Sequence, residues 1–134
     1  MKKVYSINEA VTEVPQVTVG EFLLKLLHAA TNGHILHLQT KSYSEHKALQ
    51  GYYEKLPDAV DAIIEQYQGA YQVIIEYPAT YEAPKPDALQ EVTYIRDFIV
   101  ANRAVIGDYT SLQNEVDALL SIVESTMYKL TFLD

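Results

Sequence analysis

Apolar positions recur along this chain at the three- and four-residue spacing of an amphipathic helix. Val19, Leu23, Leu26, Leu27 and Ala30 open the first such stripe, which continues at about 100° per residue through His34 and His37. Thr18 followed by Glu21 is a capping-box signature, so a first helix is predicted over about 18–39. QTKSYS (39–44) reads as a short polar turn in which Ser42 or Ser44 can cap the next helix. Its stripe is His46, Leu49, Tyr53, Val60, Ile64 and Tyr67, with a kink or restart expected at Pro57 and a stop at Gly69. A third helix opens at Asp87 and Gln90, shows Val92, Ile95, Ile99 and Ile106, and is punctuated by Gly107. Asp108 is the expected cap of a fourth, whose stripe of Leu112, Val116, Leu119, Val123, Met127 and Leu130 runs to the end.

Two segments lack this period. Residues 1–17 read as an extended arm ahead of one bundle domain over 18–134. Residues 70–86 hold three of the five prolines, and the pattern over 71–81 suits helix, strand or loop equally. About 17 residues reach up to ~55 Å, enough to cross a ~30 Å bundle from end to end. Two tight hairpins joined by one long connection predict an all-α, ferritin-like four-helix bundle with a crossover between the second and third helices.

Composition narrows the function. Ten Lys and Arg stand against eighteen Asp and Glu, a net charge of −8, with Lys2–Lys3 the one basic cluster. That argues against DNA as a partner. No apolar run is long enough to span a bilayer, and no apolar segment follows the N-terminal lysines. Zero cysteines exclude disulfides and thiolate metal sites, and a cytoplasmic protein is expected.

The candidate chemistry lies in the first two helices. His34 and His37 are three apart, and His46 follows nine residues later, across the turn. Antiparallel packing can bring these rings together, whereas His28 falls off the stripe and reads as surface. Asp61 and Glu65 share one face of the second helix. Histidine with carboxylate suits iron, zinc or manganese. Asp61 lies fifteen residues beyond His46, roughly 22 Å along one helix, so one chain cannot bring both to one ion. A two-fold dimer with antiparallel helices can. The bland alternative is a set of polar residues buried in a bundle or its interface without metal.

HILH at 34–37, His46 and D-x-x-x-E at 61–65 resemble the miniferritins of the DNA-protection-during-starvation (Dps) family over about 18–70. The resemblance implies an inter-subunit ferroxidase centre, with His37 and His46 from one chain and Asp61 and Glu65 from a two-fold neighbour. His34 matches a further family histidine that would also be near the metal. Gln50 stands where that family usually has another aspartate, and Leu38 where it has tryptophan. The expected cofactor is iron, as one ion or two. The expected partner is the chain itself, as a two-fold dimer at least, with the family's dodecamer as the larger assembly that the resemblance implies. A non-catalytic oligomeric scaffold or interaction protein is the alternative from another class.

Overall fold

The computed structural model describes residues 17–134, so the expected arm over 1–17 lies almost wholly outside it. The described chain is all-helical: α1 (Val19–Gln39), α2 (Tyr43–Tyr71), α3 (Ala88–Asn102) and α4 (Thr110–Phe132), with a 3-10 turn at Arg103–Ile106. The capping box forms as the sequence predicts. Thr18 accepts from the Glu21 amide, and the Glu21 carboxylate takes the Thr18 N–H. Ser42 caps α2 and Asp87 caps α3, each accepting an amide that the first helical turn leaves unpaired.

Three local expectations need correction. Pro57 neither breaks nor restarts α2, which runs unbroken for 29 residues. Pro57 faces solvent, where water can take up the carbonyl that its missing N–H leaves free. Gly69 does not stop the helix. It runs to Tyr71 and ends on Gln72, whose left-handed backbone (φ 55°) turns the chain away. The first turn of α4 begins after Tyr109 with no side-chain cap, so Asp108 does not fill that role. Residues 72–87 form neither helix nor strand. Gly107 does end the third helical region, at φ 89°, after its last turn tightens to 3-10 geometry.

The helices bury one continuous core, with Phe22, Leu26, Leu49, Leu56, Ile63, Ile95, Ile99, Leu112 and Leu119 no more than 1% exposed. Burying each such side chain stabilises the fold by about 1.5–3 kcal/mol. Contacts set the directions. Gly33 faces the Tyr52 ring, so closely that a Cβ there would lie 2.7 Å away, and α1 and α2 run antiparallel. Phe22 packs on Phe98 at 5.6 Å while Lys25 lies 5.1 Å from the Tyr94 ring, which makes α3 antiparallel to α1. Gln66 donates to Ser111 at 2.8 Å, so α4 starts beside the end of α2 and runs antiparallel to it.

The connection over 72–87 lies along α1. The Glu76 carbonyl sits where a Cβ on Gly20 would be, 1.9 Å away, so that position must be glycine for this approach. Further on, Asn32 donates to the Glu82 carbonyl at 3.0 Å and accepts from the Tyr81 hydroxyl at 2.6 Å.

Candidate histidine–carboxylate site

The link between α1 and α2 is three residues, Thr40 to Ser42, tightened by the Thr40 hydroxyl accepting the Ser42 amide at 3.1 Å. It places the last turn of α1 against the first turn of α2. His37 is buried there at 7% exposure and His46 is partly buried. Their rings stack with centroids 3.6 Å apart and planes 22° apart. Each ring reaches the other residue's backbone: His37 Nδ1 lies 2.7 Å from the His46 carbonyl, and His46 Nδ1 lies 2.9 Å from the His37 carbonyl. A carbonyl only accepts, so both Nδ1 atoms carry the proton. In the neutral rings the lone pair is therefore on Nε2, the pattern in which histidine commonly serves as a ligand.

His34 departs from its expected place. It is exposed rather than on the buried stripe, and it stacks on Tyr53 with centroids 4.1 Å apart and planes 7° apart. It still lies 5.9 Å from the His37 ring, so the three histidines form one cluster at this end of the bundle. Tyr52, beside this cluster in sequence, is wholly buried in the core. Its hydroxyl has no hydrogen-bond partner among the described residues, and burial, then the nearby Glu91, pushes its pKa far up.

Asp61 and Glu65 are both exposed on the outer face of α2, away from the histidines. A hydrogen bond and repulsion from Asp61 raise the Glu65 carboxyl above its usual range. One chain thus assembles the histidines but leaves the carboxylates fifteen and nineteen residues beyond His46 along α2. Among the described residues, no three His, Asp or Glu converge as a metal cluster. Gln50 is hydrogen-bonded to Lys47 and Glu54, each at 3.2 Å.

A second polar constellation escaped sequence reasoning. Glu82 takes hydrogen bonds from Lys25, from the Tyr94 hydroxyl at 2.8 Å and from Lys85 at 3.4 Å, and they lower its pKa to about 2. Glu91 is 1% exposed, and burial raises its pKa even though the Lys85 amide donates to it at 2.8 Å. His28, read as surface, is partly buried edge-on to Tyr81 and lines a cleft of about 290 Å³ with Leu24, Lys25 and Phe98. Two signals were available, Asn32 and Glu91, each a polar residue at helical spacing within an apolar stripe. Arg96 forms ion pairs with Asp97 and Glu124, and Arg103 with Asp117.

Residues 37–130 match the model of a family of unknown function, DUF5856. The match covers most of the chain, and the chain belongs to that family. It is also similar to an uncharacterized 14.6 kDa protein from the mobD-ri intergenic region of Enterobacteria phage T4, 43% identical over 49 residues. That alignment takes in 37% of this chain and spans 38% of the phage protein. No solved structure matches the chain. No described helix is long and apolar enough to cross a membrane.

Proposed function

We propose that this protein is a ferritin-like bundle of the Dps-like miniferritin kind, which takes Fe(II) as substrate between two copies of the chain. Antiparallel packing of both α2 and α3 on α1 supports the ferritin-like assignment, because α2 and α3 then share a direction and need a long return between them. The observation that carries the functional reading is the reciprocal Nδ1 bonding of His37 and His46, which leaves both Nε2 lone pairs free. In this reading those atoms meet Fe(II), and Asp61 and Glu65 of a second copy supply negative charge that favours Fe(III). Peroxide or dioxygen accepts the electron. The Asp61–Glu65 pair is suited to such a cation, since Asp61 raises the hold of the Glu65 carboxyl on a proton. The iron-oxidation rates of His46→Ala and Asp61→Ala test this. Both fall at least about tenfold if the site is shared between copies, and rates equal to the parent overturn it.

One observation favours the second reading, a non-catalytic oligomeric scaffold. Two imidazoles that hold one ion through Nε2 at about 2.1 Å, in tetrahedral geometry, have centroids roughly 5 Å apart. The stack here is 3.6 Å. One ring must swing outward to share an ion, whereas as a clasp joining α1 to α2 the stack is complete as it stands. A melting temperature unmoved by Fe(II), Zn(II) or Mn(II) supports the scaffold, because a ligand of the native state raises it.

A further inference from the structure

The outward side of α1 carries an apolar face that the bundle leaves uncovered. Leu24, Leu27, Thr31, His34 and Leu38 follow one another at alternating steps of three and four, the spacing with which one helix packs along another. Leu27 is 37% exposed and Leu38 is 69% exposed, and Thr31 and His34 are exposed between them. From Leu26 to Thr40 the helix holds no Asp, Glu, Lys or Arg, on a chain in which charged residues make up 21%. The charges at its margins come in both signs: Lys25 among Glu21 and Glu82 on one side, Lys47 and Glu54 joined through Gln50 on α2. Single exposed apolar residues are ordinary, but a charge-free row of them along a helix marks an interface.

The face also carries a projection and a matching recess. The cleft of about 290 Å³ lies beside Leu24 and His28, with Val17 and Phe98 as further apolar walls, and Leu38 projects at the other end. Leu24 and Leu38 are each seven residues from Thr31, about 10 Å to either side along the helix. A two-fold axis at Thr31 therefore sets Leu38 of each copy over the cleft of the other, with no charged residue of α1 along the seam between Leu26 and Thr40. We propose that this face of α1 packs antiparallel on the same face of a second copy, centred on Thr31, with each Leu38 seated in the other's cleft. The same axis sets His37 opposite position 25 of the second copy. Asp61 lies nine residues beyond Tyr52, which packs on Gly33, and is thus level with position 24. His37 of one copy and Asp61 of the other so come to the same height. That match rests on the shared-site reading above, whereas the face and its cleft do not.

Sedimentation of the full-length chain in physiological salt, with chelator present so that iron plays no part, should show particles of an even number of chains. Leu27→Glu/Leu38→Glu, both on the exposed face, should weaken that association at least about tenfold with the helical circular dichroism unchanged. The chain has no cysteine of its own, so single cysteines report the contact directly. Thr31→Cys should form a disulfide between copies under mild oxidation. Leu38→Cys should not, because the two thiols then stand about 21 Å apart. Thr31→Cys leaves the core untouched, so it decides even if the glutamate pair unfolds. A monomeric parent overturns the proposal and leaves the shared site without its second copy. An oligomer that the glutamates do not weaken, or one that cross-links at Leu38→Cys and not at Thr31→Cys, overturns this surface but not a site shared across another. An oligomer that behaves as expected yet oxidises no iron keeps the surface and ends the ferroxidase reading.

Discussion

The α1–α2 hairpin and the 72–87 connection lie against each other, yet they are held in different ways. The hairpin packs through buried apolar residues: Leu23, Leu26, Leu49, Leu56 and Val60 are no more than 1% exposed, and its one conspicuous polar element, the histidine pair, sits at the turn. The connection buries a single large apolar side chain, Ile75, and is otherwise tied to α1 and α3 by Asn32, Lys25, Glu82 and Glu91. Apolar packing is shared among many neighbours and insensitive to pH. A strap of carboxylates depends on a few groups, each with its own titration.

The largest expected effect is on the hairpin. Leu56→Ala leaves a cavity in the common core and should cost about 2–5 kcal/mol, lowering the melting of the whole bundle. Gly20→Ala acts on the strap. The new Cβ meets the Glu76 carbonyl, so the connection must shift, for roughly 1–3 kcal/mol of overpacking. Hydrogen exchange should show the loss near 72–80 with the α1–α2 turn still protected, whereas uniform loss of protection would mean that the two regions are not separable.

The two glutamates of the strap should respond to pH with opposite signs. Glu91 has a raised pKa in the fold, so its stabilising contribution is present below about 4.5 and is lost as pH rises through the raised value. Glu91→Gln keeps an oxygen for the Lys85 amide and removes the buried charge. It should raise the melting temperature at pH 7 and have little effect at pH 4, and a gain of equal size at both would contradict this. Glu82 is depressed to about 2, so its contribution is present above about 4.5 and disappears between there and 2. Its side chain is 47% exposed, and solvent screening makes this the smallest effect, below ~1 kcal/mol. Glu82→Gln should flatten the acid limb of the stability curve.

The same contrast explains what the sequence made legible. Helical period, capping box and the Ser42 and Asp87 caps placed the four helices because each depends on neighbours three or four residues away. The Lys25–Glu82 tie spans 57 residues and has no local signature. His37 and His46 were foreseeable as a pair because a tight turn fixes their register. His34 was misplaced because it shares their helical spacing but turns out to Tyr53, and periodicity does not record which side chain finds an aromatic face. Pro57 was misjudged because the cost of proline in a helix depends on whether solvent reaches the freed carbonyl.

The central claim, a site made from two chains, is tested most directly by complementation. His46→Ala and Asp61→Ala chains are unfolded together, refolded as a mixture, and assayed for Fe(II) oxidation. In a mixed pair one site has lost both contributions, while the other keeps His46 from one chain and Asp61 from its mate. The account predicts that the mixture regains about a quarter of parent activity while each variant alone stays inactive. A mixture no more active than its components, beside an active parent, would contradict a site shared between copies.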